Sequence, residues 1–237
     1  MNEHVERNDH IASETASAAG AGLNAGTPAG HVHDVIVVGG GPCGATAAHD
    51  LARQGYDVVL LDREGRIKPC GGAVPPRLIK DFEIPDELIV ARAKSARIIS
   101  PSNRTVDMPI DGGYVGMVDR EHFDAWLRAR AEDAGATRYA GTFERFERRA
   151  DGTAQIVFTP KQRRGPGDAS PVRTGPATAT LAARFVIAAD GARSKVTRQA
   201  MPKVGEPKCV FAYHEIISAP QSADCSDVLP ANAGDGG

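Results

Sequence analysis

The sequence predicts an α/β fold opened by a β-α-β unit, and three observations carry that prediction. Short, fully apolar runs stand where buried parallel strands are expected; a helical stripe of small apolar residues separates the first two; and later strand-like runs are joined by an Asp-Gly turn. Val35 to Val38 is the first run and Val58 to Leu61 the second. Between them Ala45, Ala48, Leu51 and Ala52 recur at helical spacing, with Gly55 placed as a C-terminal cap. One right-handed crossover is the expected connection. A second amphipathic helix starts after Asp119, a good N-cap, carries Phe123, Trp126, Leu127, Arg130 and Ala134 along one stripe, and ends at Gly135. Phe143 to Phe146 and Ala154 to Phe158 then flank Asp151-Gly152, which favours a tight hairpin. Phe185 to Ala189 is a final apolar strand leading into Asp190-Gly191, and no internal repeat is found.

Composition sets the outer bounds. With 237 residues, 41% of them hydrophobic, the chain holds enough apolar surface for one core and part of a second. A formal net charge of -2 provides no field to attract nucleic acid or anionic lipid, so neither is expected as a partner. No window approaches the roughly 18 consecutive apolar residues of a spanning helix. Residues 1–32, rich in Ala, Gly, Ser and Thr, read as a disordered leader, and their Glu3, Glu6, Asp9 and Glu14 against the single Arg7 argue against a transit peptide. Lys161 to Thr180 reads as a long surface loop. Cys43, Cys70, Cys209 and Cys225 form no CxxC pair, which fits a reducing, cytoplasmic setting without a structural metal.

The chemistry-bearing motif is a glycine turn. Gly39, Gly41 and Gly44 spell GxGxxG directly after the first strand and before the helix, the context of a Rossmann-like dinucleotide site. The first glycine permits the tight turn, the second admits a pyrophosphate, and the third lets helix and strand pack closely. The helix N-terminus favours the phosphates. Asp62 ends the second strand, placed to accept hydrogen bonds from a ribose, which suits NAD or FAD and disfavours NADP at this site. Cys43, inside the turn, reads as a small packing residue. His31, His33 and His214 are given no functional role.

The run Phe185-Val-Ile-Ala-Ala-Asp190-Gly191-Ala-Arg193-Ser194 resembles the Asp-Gly motif of flavoprotein hydroxylases and their relatives, a motif that lies near the FAD pyrophosphate in that family. Three further stretches narrow the likeness: Lys68-Pro69-Cys70-Gly71-Gly72-Ala73-Val74-Pro75, Ile99-Ser100-Pro101-Ser102-Asn103-Arg104, and Gly116-Met117-Val118-Asp119-Arg120 through Phe123-Asp124. From about His33 to Pro220 the chain resembles the geranylgeranyl reductases of chlorophyll and bacteriochlorophyll synthesis. This resemblance implies a Rossmann-like FAD-binding domain of the flavoprotein hydroxylase type over residues 33–200, with 76–114 contributing to an antiparallel-sheet substrate domain and 201–237 beginning it. It implies reduction of geranylgeranyl to phytyl chains, on bacteriochlorophyll or diphosphate, with NADPH supplying electrons through FAD. Carried over by position, Gly39, Gly41, Gly44, Asp62, Arg63, Arg120, Asp190 and Gly191 would contact FAD, and Cys70 would act near the flavin ring as a proton donor or as a group orienting one.

The strand character and the resemblance both fade after Cys209 to Ile217, and Gly234-Asp235 has no helix after it. The chain is therefore expected to be truncated or frame-shifted, and to retain FAD weakly or not at all. So apolar a substrate also implies peripheral membrane contact. Two readings stand beside the reductase: an aromatic hydroxylase of the same fold, against which the Cys-Gly-Gly stretch speaks, and a non-catalytic nucleotide-binding remnant.

Overall fold

The structure, a computed structural model, describes residues 30–63, 70, 72–161, 178–205, 207–208 and 210. Most of the leader and of the Lys161 to Thr180 loop, Gly71, and most of the Cys209 to Ile217 run lie outside the described residues. The chain divides into Met1–His31 and Val32–Gly237, and every element below belongs to the second unit.

Strand β1 is Val32–Val38 and starts within the stretch read as leader. Helix α1, Pro42–Arg53, follows it, and Gly55 closes the helix with φ +84°. Strand β2, Val58–Asp62, then pairs in parallel with β1, Val35 opposite Val58 and Val38 opposite Leu61. Apart from the buried His33, the buried positions of these strands are apolar because both faces are covered, and the pleat sorts them. Val35, Val37, Val58 and Leu60 face α1; Ile36, Val38, Val59 and Leu61 face Phe143, Ile156 and Phe158 on the other side. Burying each such side chain stabilises the fold by about 1.5–3 kcal/mol.

The segment after β2 builds a smaller layer. Its elements are β3 (Ala73–Val74), α2 (Pro76–Asp81), β4 (Ile89–Ala93), β5 (Ser95–Ile99), β6 (Thr105–Pro109) and β7 (Val115–Val118). Strands β3, β7 and β4 form one antiparallel sheet in that order, and β5 with β6 forms a separate hairpin. Helix α2 closes over the sheet at Gly116, where a Cβ would lie 2.9 Å from both Ile79 and Ile89. The sequence reading names no element here, since these strands are short and β5 and β6 are exposed throughout.

Helix α3, Arg120–Asp133, has the expected cap: the Asp119 carboxylate accepts from the Glu121 amide at 2.9 Å, and Gly135 follows with φ +106°. Strands β8 (Thr137–Arg148), β9 (Ala154–Pro160) and β10 (Ala179–Ala188) are longer than their apolar runs. Thr137–Ala140 of β8 pairs in parallel with Val59–Asp62, while the rest of β8 pairs antiparallel with β9. Likewise β10 meets β9 at one end and runs parallel to β1. The ladders thus close in the order β1-β10-β9-β8-β2. The hairpin loop runs from Arg149 to Thr153, with the Asp151 carboxylate accepting from the Thr153 amide and hydroxyl. Helix α4, Lys195–Ala200, follows β10.

Candidate functional site

The glycine turn sits between β1 and α1 with its two structural glycines walled in. At Gly39, φ is +109° and a Cβ would meet the Ala189 carbonyl oxygen at 2.4 Å; at Gly44 it would meet the Gly39 oxygen at 1.9 Å and Ala189 Cβ at 3.0 Å. Gly41 is different: a Cβ there would meet nothing within 4 Å, although its φ of -75° suits any residue. Close packing therefore accounts for the first and third glycines, and the second leaves its backbone open to a ligand, as a dinucleotide turn requires. The pyrophosphate of FAD fits this arrangement.

The turn also joins two motifs from opposite ends of the domain. Ala189 donates its amide to the Val38 carbonyl at 2.8 Å, which sets the start of the Asp-Gly motif directly against Gly39. Asp190 is engaged with its own helix: Oδ2 accepts from the amides of Lys195 (2.7 Å) and Val196 (3.4 Å) at the start of α4. Ser194 adds a second cap by accepting from Thr197 at 2.9 Å. The other oxygen, Asp190 Oδ1, is buried with no hydrogen-bond partner. Gly191 is exposed with φ +92°. We expect Asp190→Ala to lower stability by about 1 kcal/mol, or roughly 3 °C in a thermal melt, because it removes one of two caps.

At the end of β2, Asp62 Oδ1 accepts from the Gly40 amide at 3.0 Å, and Arg63 beside it is exposed. The sequence reading missed Gly40 and Arg128. Arg128 Nη1 donates to the Gly40 carbonyl at 3.2 Å and stands 3.8 Å from Asp62 Oδ2. A signal for it was present, since Arg120, Asp124 and Arg128 recur every four residues and so share one line along α3.

Beside α1 a cavity of about 600 Å³ opens, lined by Cys43, Cys70, Gly72, Val74, Arg120 and Phe123 among others. Cys43, read as a packing residue, is exposed, as is Cys70. Gly72 reaches its position with φ +68° and accepts from the Val118 amide at 2.9 Å, which ties the Cys-Gly-Gly stretch to β7. Arg120, on the first turn of α3, is turned in toward the helix and not out to solvent. Its Nε and Nη2 donate to Asp124 at 2.9 Å each, and both side chains are 11% exposed. The Asp124 carboxylate holds the guanidinium above its ordinary pKa against the opposing effect of burial, with a smaller contribution from Cys70 beside it.

Comparison with known proteins follows the same lines. The family model for FAD dependent oxidoreductases matches residues 34–73. Over 188 residues the chain is 55% identical to the geranylgeranyl diphosphate reductase of Rhodobacter capsulatus, a match covering 79% of this chain and 44% of that protein. Over that region the chain is similar to the geranylgeranyl reductases. A chloroplastic geranylgeranyl diphosphate reductase of Oryza sativa is 36% identical over 200 residues, covering 81% of this chain and 41% of that protein. The chain thus spans less than half the length of either of these relatives. The solved structure of a geranylgeranyl bacteriochlorophyll reductase-like protein from Thermoplasma acidophilum matches with a TM-score of 0.58 at 25% identity, over 72% of this chain and 42% of that one. The fold is that of the FAD-binding α/β domain of the flavoprotein hydroxylase type, as the geranylgeranyl reductase resemblance implied. Among the described residues no helix is long and apolar enough to cross a membrane.

Proposed function

We propose that this chain carries the FAD site of an enzyme that reduces double bonds of geranylgeranyl chains, with NADPH as the electron donor. The observation that carries the reading is a single juxtaposition. The open turn at Gly41, the Asp190-Gly191 motif packed against Gly39, and a cavity bearing Cys70 and Arg120 all border the N-terminal end of α1. Gly41 would admit the pyrophosphate, Gly39 and Gly44 would shape the turn that receives it, and Asp62 would take the adenosine ribose. Asp190 Oδ1, a carboxylate oxygen, suits a ribityl hydroxyl and would repel a phosphate, so Gly191 and the adjoining amides are the better phosphate partners. Arg63 and Arg120 supply positive charge near the cofactor.

When bound and reduced by NADPH, the flavin would supply hydride to one alkene carbon of the substrate and return to its oxidised form. The chain's own part is to place a proton for the other carbon, and Cys70 Sγ, exposed in the cavity beside Arg120, is the proposed source. The apolar lining at Val74 and Phe123 would exclude water from so apolar a substrate. The substrate would be carried on diphosphate or on a bacteriochlorophyll, and contact with a membrane surface would be peripheral.

Thiol protection tests the assignment. Cys43 and Cys70 are expected to alkylate readily with iodoacetamide, and saturating FAD is expected to slow both at least tenfold, as read by peptide mass spectrometry. Unchanged rates at FAD concentrations that visibly bind would move the flavin away from this cavity.

A further inference from the structure

Resting on the reading of the turn as the site for the ADP half, we propose that Arg128 is a positioning residue for Asp62. By fixing that carboxylate, Arg128 sharpens the preference that an acid at the end of β2 already gives for a ribose without a 2′-phosphate. Gly40 lies at a position of the glycine fingerprint that the motif leaves variable, yet it has no room for a side chain. A Cβ there would meet Asp62 Cβ and Cγ at 2.8 Å and Arg128 Cδ at 2.9 Å. The pair, and not the ligand, requires glycine here. Both polar groups of Gly40 are used: its amide donates to Asp62 and its carbonyl accepts from Arg128. The Arg128–Asp62 approach of 3.8 Å completes a closed circuit in which helix α3 fixes the tip of the turn and the carboxylate together.

The circuit is shielded, with side chains 16% and 19% exposed for Arg128 and Asp62, so its charges act more strongly than on open surface. Arg128 Nε is buried without a hydrogen-bond partner, which leaves the guanidinium with donor capacity the protein does not use. An unphosphorylated ribose would donate its hydroxyls to the fixed carboxylate. A 2′-phosphate would meet that same negative charge first, and with the carboxylate removed it would face the positive charge of Arg128 together with that of the exposed Arg63.

Calorimetric titration of the full chain with ADP-ribose and with its 2′-phosphorylated form tests this. The unaltered chain is expected to favour ADP-ribose at least tenfold. Arg128→Met should weaken ADP-ribose about tenfold, and Arg128→Lys should recover part of the loss. Asp62→Ala should reverse the preference, and the double variant Asp62→Ala/Arg128→Met should show a smaller reversal, with Arg63 left in place. The reversal distinguishes placement of charge from general support of the fold, which would weaken both ligands alike. If Arg128→Met fails to fold by circular dichroism, the ratio in Asp62→Ala decides. An unchanged affinity in folded Arg128→Met, or an unchanged ratio in Asp62→Ala, overturns the proposal. Binding of neither ligand nor FAD by the unaltered chain overturns the reading of the turn, and this proposal with it.

Discussion

Gly44→Ala is expected to destabilise the domain by about 3 kcal/mol, a fall of roughly 10 °C in melting temperature, and to abolish FAD binding. The added methyl would sit 1.9 Å from the Gly39 carbonyl oxygen, a backbone atom that no rotamer change can move aside. That oxygen belongs to the residue whose amide donates to Leu61 at 2.8 Å, so a shift at Gly44 propagates into β1 and β2. Gly41→Ala is the control. Its Cβ meets nothing and its backbone is already extended, so stability should change by no more than about 0.5 kcal/mol while FAD affinity falls at least tenfold. Thermal melts and flavin titrations of the two variants separate a fold-forming glycine from a ligand-facing one. Equal losses of stability in both would show that the turn is not open at Gly41.

The second large effect is expected at Asp124, which accepts two hydrogen bonds from Arg120 in a pair 11% exposed on each side. Asp124→Ala should cost about 3 kcal/mol, because it leaves the Arg120 guanidinium desolvated without its counter-charge. Arg120→Met/Asp124→Leu, which replaces both charges by apolar groups of similar size, should recover most of that stability. The same double variant should still bind FAD more weakly than the unaltered chain, since Arg120 lines the cavity. Chemical denaturation of the single and double variants measures the first two statements. A stable Asp124→Ala variant would mean that the pair is hydrated and contributes little.

How much was legible follows from how local each signal is. Asp119 announces α3 because a carboxylate before a helix satisfies an amide two residues away, and the structure places it there. Asp190 was read as a cofactor residue from its resemblance alone. Its capping bonds to Lys195 and Val196 went unseen because α4 is six residues long and has almost no periodicity to read. The first four residues of β8 were equally silent. Thr137, Arg138, Tyr139 and Ala140 are not an apolar run, and they form a strand because β2 offers an edge to pair with.

By itself the sequence determined the β1-α1-β2 unit, its glycine turn and the acid at its end. Those features depend on hydrophobic period, on backbone freedom at single positions and on neighbours within a few residues. Tertiary structure alone decided that Arg128 reaches across from α3 to Gly40 and Asp62. It likewise decided that Cys70 comes to lie beside Arg120, and that β8 and β10 each carry one parallel and one antiparallel ladder of the closed sheet. Such contacts join residues far apart in the chain, and their geometry is set by the packing of α1 and α3 against the common core, which no local pattern encodes.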